Sequence, residues 1–262
     1  SLPGVRDAEG YTFMGWSTKP MQSVSPQYEA EEKITVNGNV DLYAVVFNRT
    51  TETDLTEDQL PQVDIYKYKQ VIFVGDSRTE FMENVLTGMG ESATKNVKFV
   101  CSAGKGLDWF TTTGWAQLYS IVQHDSNSIL SKKTAVIFNF GVNDLSKSAD
   151  YAEYYNWIAP QLKSKGCELY FMSVSPVNRL MLPNAGRADR SEAAVRSFNQ
   201  YMKANLSSAY TYIDMYSYLK STGYSFASDH YGTGTVDDGL HYTTRTYKRI
   251  FAKCMDSLRV PA

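Results

Sequence analysis

The sequence predicts an α/β protein built on a doubly wound parallel sheet. Five short apolar runs read as strands: "VIFVG" (71–75), "VKFVC" (97–101), "TAVIFNFG" (134–141), "CELYFMSVSP" (167–176) and "AYTYIDM" (209–215). They are continuous rather than alternating, the pattern of parallel strands buried on both faces. Stretches of helical pattern separate or follow them, over 79–88, 111–130, 150–165, 188–206 and 243–258. Strands alternating with helices close into a parallel sheet with helices on its faces. In such sheets, sites form where the carboxyl ends of the strands open into loops.

The chain ahead of this pattern is different. Over residues 1–49, aromatic and β-branched segments such as "YTFMGW" and "VDLYAVVF" are separated by turn clusters such as "VNGNV", which predicts a small β unit. A polar, acidic, Thr-rich stretch, "NRTTETDLTEDQLP", covers 48–61 and ends in Pro61, and residues 50–64 are expected to form a linker. The main domain is then expected over 65–262.

Composition excludes several classes. With 262 residues, 43% hydrophobic and 21% charged, the chain can bury a large core. A formal net charge of -2 gives no electrostatic reason to expect nucleic acid. No apolar run reaches the roughly 18 residues of a membrane helix, so membrane insertion is not expected. Cys101, Cys167 and Cys254 form no C-x-x-C pair, so neither a metal site, a redox motif nor a disulfide scaffold is expected, and no cofactor is implied. The first residues are Ser1-Leu2-Pro3, with no methionine, so the lack of a leader does not argue for the cytoplasm.

The first strand runs into Gly75-Asp76-Ser77. Gly75 permits a tight turn. Ser77 then falls where a helix begins, among backbone N–H groups that can receive negative charge. Two readings of Ser77 stand side by side: a nucleophile, or a helix N-cap. After the second strand, "CSAGKGLDW" contains Gly104 and Gly106, either of which lets a backbone N–H face a ligand. After the third, "GVND" (141–144) holds Asn143, a neutral donor suited to an oxyanion or equally to a turn.

Near the end, "DDGLHY" (237–242) places Asp238 three residues before His241. That spacing lets the carboxylate hold the imidazole in one tautomer, as a serine's base requires. Of the other two histidines, His124 falls in a helical stretch among polar residues and His230 in the loop "SDHYGTG". His241 is the better placed.

The joint order of these blocks resembles the SGNH hydrolases, also called GDSL esterases and lipases. "GDS", "GVND" and "DGLH" match the family's first, third and last blocks, and the resemblance covers roughly 65–260. It implies a flavodoxin-like three-layer α/β/α sandwich and acyl-ester hydrolysis without metal. It makes Ser77 the nucleophile, His241 the base and Asp238 its orienting acid. The oxyanion hole would use the Ser77 N–H, a glycine N–H and the Asn143 amide, with Gly106 the chosen glycine and Gly104 the alternative. The chain departs from the family in having Arg78 after the serine and Cys101 where many members have Asn. Arg78 would close the acyl pocket, bind an anionic group, or form a salt bridge, the last being favoured. Arg78 and Trp109 are the candidate substrate contacts.

"GYTFMGWSTK" and "ITVNGNVDLYAVV" resemble the latter part of a Listeria–Bacteroides repeat of the internalin B type, over about 2–47. Gly10 to Trp16 and Leu42 to Ala44 carry the match, and the repeat's first strand is missing. Such repeats imply a secreted or cell-surface bacterial protein and a contact with cell wall or polysaccharide.

The expected function is a secreted serine esterase acting on short acyl esters of carbohydrate. The sugar part rests on the repeat and on Trp109, Phe110 and Tyr242 as exposed aromatics. The loop "NRLMLPNAGRADRSE" (178–192) is expected either to overhang the site or merely to connect. The alternatives are an adhesion protein with a degenerate hydrolase domain, and an O-acyltransferase using the same residues. With all four blocks beyond Val71, removal of residues 1–60 is expected to leave small-ester hydrolysis nearly unchanged.

Overall fold

The structure, a computed structural model, describes residues 1–20, 25–124, 132–227 and 237–259. Five parallel strands form the central sheet: β3 (Tyr68–Gly75), β4 (Val97–Cys101), β5 (Lys133–Asn139), β6 (Cys167–Met172) and β7 (Tyr210–Ile213). Their order across the sheet is β4-β3-β5-β6-β7. The chain winds to one side of β3, then to the other, which makes the carboxyl ends of β3 and its two neighbours the topological switch point.

Strand pleating sends alternate side chains to two cores. Val71, Phe73, Ala135, Ile137 and Met172 face α1 (Ser77–Met89), α6 (Met215–Thr222) and α7 (Thr244–Ser257). Ile72, Val74, Val136, Phe138 and Phe171 face α2 (Leu107–Trp109), α3 (Trp115–His124), α4 (Ser148–Lys163) and α5 (Glu192–Asn205). A π-helical turn, Phe110–Gly114, joins α2 to α3. This is the predicted three-layer α/β/α sandwich.

The observed elements depart from the sequence pattern at their ends. The third and fourth strands stop at Asn139 and Met172. Helix α6 was not expected; Asp214 caps it by accepting from Ser217 N at 3.1 Å. Residues 125–130 of one expected helix, the His124 side chain and His230 lie outside the described residues. Among the described residues, no helix is long and apolar enough to cross a membrane.

The small β unit is an antiparallel pair, β1 (Tyr11–Ser17) and β2 (Tyr43–Asn48), with a bulge between Phe13 and Gly15. It does not stand apart. Met14, Val45 and Phe47 belong to the same core as Tyr68, Leu219, Tyr224 and Tyr242. The expectation of a loose linker is therefore corrected. Leu60 and Val63 are buried in that core too. Glu52 is buried, 2.9 Å from Arg249 Nη1, and accepts from Ser225 Oγ at 2.6 Å and from Thr246 Oγ1. A buried carboxylate needs such partners. The polarity that suggested a linker belongs to groups paired across an interface. Two short strands, β8 (Phe226–Ala227) and β9 (His241–Tyr242), pair beside α7 and carry the chain back to the sheet's carboxyl edge.

Candidate active site

Strand β3 ends at Gly75, where a Cβ would strike Thr79 and the Asn139 carbonyl; glycine lets α1 start so close to β5. The N-cap of α1 is Asp76, whose Oδ1 accepts from Arg78 N at 3.0 Å. Ser77 is thus the first helical residue rather than the cap, and its N–H is one that the first turn leaves without an intrahelical acceptor. Burial, partly offset by that hydrogen bond, lifts the Asp76 carboxyl to about 6.

The structure brings Ser77, His241 and Asp238 into one line. Ser77 Oγ stands 2.9 Å from His241 Nε2, and His241 Nδ1 stands 2.7 Å from Asp238 Oδ2. Asp238 Oδ1 accepts from the N–H groups of Leu240 (2.9 Å) and His241 (2.8 Å). Gly239 sits between at φ +64°, in the left-handed region, and packs so closely on the Asn178 carbonyl that a side chain would collide with it. Burial tends to raise the Asp238 carboxyl, but the hydrogen bond and charge of His241 together with the backbone N–H groups of His241 and Leu240 outweigh this and leave it below 3.8. Burial also pulls His241 below 6.5, against the opposing pull of Asp238. At neutral pH the ring is uncharged, with Nδ1–H donated to Asp238 and Nε2 free to accept from the serine hydroxyl.

Around Ser77 lies a cavity of about 310 Å³. Phe81 and Leu240 form its apolar side, and Phe81 stacks on His241 with ring centroids 4.3 Å apart. Asn143 and Gly104 line it, whereas Gly106 does not. Gly106 caps α2, where a Cβ would run into the Asp144 carboxylate. Asn143 Nδ2 donates to Lys105 O at 2.8 Å, which ties the turn after β5 to the glycine loop after β4.

Two expected substrate contacts are corrected. Arg78 is 4% exposed and donates to three backbone carbonyls: Leu240 (3.0 Å), Ser175 (2.8 Å) and Pro176 (2.8 Å). Its guanidinium lies 5.0 Å from the Tyr242 ring centroid. Among the described residues it forms no salt bridge, and it does not line the Ser77 cavity; it ties the histidine loop to the loop after β6. Trp109 packs half-buried on Phe140 and does not line the Ser77 cavity. The exposed aromatics are corrected as well. Phe110 and Tyr242 are fully buried, Phe110 against Phe138 and Phe140, Tyr242 with its hydroxyl on Pro176 O at 2.5 Å.

Sequence reasoning missed several supporting residues. Asp144 Oδ2 accepts from Leu107 N (2.9 Å) and its Oδ1 from the Tyr151 hydroxyl (2.8 Å), which anchors the glycine loop. The 178–192 segment reaches the site: Arg187 Nε meets Asp238 Oδ2 at 3.1 Å, and Arg190 Nη2 donates to Asn143 Oδ1 at 2.8 Å. No spacing rule links an arginine to a carboxylate some fifty positions away, so nothing in the sequence singled out Arg187 or Arg190 within a loop expected either to overhang the site or to connect.

The model of the GDSL-like lipase/acylhydrolases matches residues 71–254, and that of the Listeria–Bacteroides repeat domain matches residues 1–45. No curated protein matches the chain. Among solved structures, a Slackia heliotrinireducens protein assigned to the SGNH hydrolases is 13% identical with TM-score 0.52, over 73% of this chain and 100% of that one. A Bacteroides fragilis protein assigned as an acylhydrolase is 16% identical with TM-score 0.46, over 77% and 93%. The C-terminal catalytic domain of Streptococcus pneumoniae peptidoglycan O-acetyltransferase A is 16% identical with TM-score 0.42, over 73% and 92%. The family match spans most of the sandwich and every block around Ser77, and the chain belongs to the GDSL-like lipase/acylhydrolase family.

Proposed function

We propose that this protein is a serine esterase that removes short acyl groups, such as acetyl, from a carbohydrate. The observation that carries the reading is the unbroken chain from Ser77 Oγ through His241 to the buried Asp238. His241 takes the hydroxyl proton as Ser77 Oγ bonds to the ester carbon. The resulting oxyanion accepts from the Ser77 N–H, the Asn143 amide and a glycine N–H, Gly106 or Gly104. Collapse breaks the bond to the alcohol oxygen, which receives the proton from His241. Water then attacks the acyl-serine by the same route, with His241 again taking and returning the proton, and the acid leaves.

The small apolar side formed by Phe81 and Leu240 supports a short acyl group. A secreted or surface location in bacteria, and the carbohydrate substrate, rest on the N-terminal repeat. Hydrolysis of p-nitrophenyl acetate against the butanoate and octanoate esters tests the reading. Turnover that rises with chain length would overturn the short-acyl part, and no turnover on any would overturn the esterase part.

A further inference from the structure

The cavity at Ser77 has a cationic wall. Among the described residues its charged lining is Arg187 and Arg190, with no carboxylate. Their existing partners leave positive charge over. Arg190 donates to Val142 O (2.6 Å), Ala188 O (2.8 Å) and Asn143 Oδ1 (2.8 Å), all neutral acceptors. Arg187 touches Asp238 through Nε, a carboxylate already engaged with His241; its Nη1 and Nη2 have no partner among the described residues. Asp189, between the two, turns instead to Arg179, 2.6 Å away. With His241 neutral, Asp238 and Asp76 offset two of the three cations Arg78, Arg187 and Arg190 that act on one another here, and one positive charge is left over.

A guanidinium with a free pair of N–H donors in a half-enclosed cavity suits the two oxygens of a carboxylate or phosphate. Phe81 and Leu240 supply apolar lining in the same cavity. We infer that the ester presented to Ser77 bears an anionic group, carboxylate or phosphate, that docks on Arg187 and Arg190. This rests on the esterase reading and narrows its substrate to acidic acyl esters. Arg187 then has two duties, orienting Asp238 and neutralising the substrate.

The test compares matched esters at low salt. On the acyl side, p-nitrophenyl hemisuccinate is set against p-nitrophenyl butanoate. On the alcohol side, acetylated methyl galacturonoside is set against acetylated methyl galactoside, and acetylated galactose 6-phosphate supplies the phosphate. The expected result is a kcat/KM higher for the anionic member of at least one pair by roughly tenfold or more, the scale of a charge-assisted hydrogen bond. The arm that shows it locates the anion, and added salt should shrink it. Arg187→Gln and Arg190→Gln also disturb Asp238 and Asn143, so the readout is the anionic-to-neutral ratio, which should fall towards one; Arg187→Lys should keep part of it. Equal or lower kcat/KM for the anionic member in every arm overturns the inference while leaving the esterase reading intact. Absence of turnover on every ester sinks the esterase reading instead. Calorimetric titration of Ser77→Ala with the same pairs then reads the preference as binding, and equal binding overturns it.

Discussion

Arg49 Nη2 lies 2.5 Å from Asp237 Oδ2, so the last residue of the N-terminal β unit is ion-paired to the residue just before Asp238. The same nitrogen lies 2.5 Å from Asp7 Oδ2, and Asp7 Oδ1 accepts from Asn178 Nδ2 at 2.9 Å. Arg6 adds bonds to Leu180 O (2.6 Å) and Asn184 Oδ1 (2.7 Å). Asn184 Nδ2 in turn donates to Asp237 O at 3.0 Å. The N-terminal unit therefore holds two of the loops that wall the Ser77 cavity.

Removing residues 1–60 should accordingly impair hydrolysis of p-nitrophenyl acetate and of an acetylated polysaccharide alike, with a lower melting temperature. This reverses the expectation drawn from motif positions. Arg49→Ala is the finer probe: breaking a mostly buried ion pair costs about 3 kcal/mol. Chemical denaturation checks it, and a change under 0.5 kcal/mol would show the contact to be incidental.

Ser77→Ala should abolish ester hydrolysis with an unchanged circular dichroism spectrum, since the side chain contributes one hydrogen bond at the edge of a cavity. Normal turnover by this variant would remove Ser77 from the mechanism.

Asn143→Ala should lower kcat by roughly a hundredfold or more, the usual loss for one oxyanion donor, with little change in KM. An effect confined to KM would place Asn143 in ground-state binding.

Activity should require neutral His241. Burial holds its pKa below 6.5, so kcat/KM should be on its plateau at pH 7 and fall as pH drops through the lowered value. A midpoint above 6.5 in the pH profile would contradict the buried, neutral ring.

Stability should run the other way. Burial, then the charge of Asp237, lifts Asp7 to about 7 against 3.8 unfolded. A raised carboxyl binds more protons folded than unfolded, so its stabilising contribution is complete below pH 3.8 and lost as pH rises through 7. Asp7→Asn should therefore lose less melting temperature than wild type between pH 5 and pH 8. Parallel losses in the two proteins would show that Asp7 does not carry this dependence.

Local patterns in the chain determine a great deal here. The apolar runs mark all five sheet strands: the three central ones are apolar because they are buried on both faces, and the edge strands β4 and β7, half-buried, keep enough apolar residues to be read. The blocks "GDS", "GVND" and "DGLH" point to Ser77, Asn143, Asp238 and His241, because each lies at a strand end or within a single loop. The tertiary structure alone decides what the arginines do. Arg78 reaches three carbonyls on two loops, Arg187 and Arg190 come to the cavity from a segment that reads equally as an overhang or a connector, and Arg49 pairs with Asp237 across 188 positions. The same holds for Glu52, polar in sequence yet buried against Arg249. Periodicity reports which residues share a face of one element. It says nothing about which distant charge will neutralise a carboxylate, because that partner is chosen only when the chain closes and the charge must leave water.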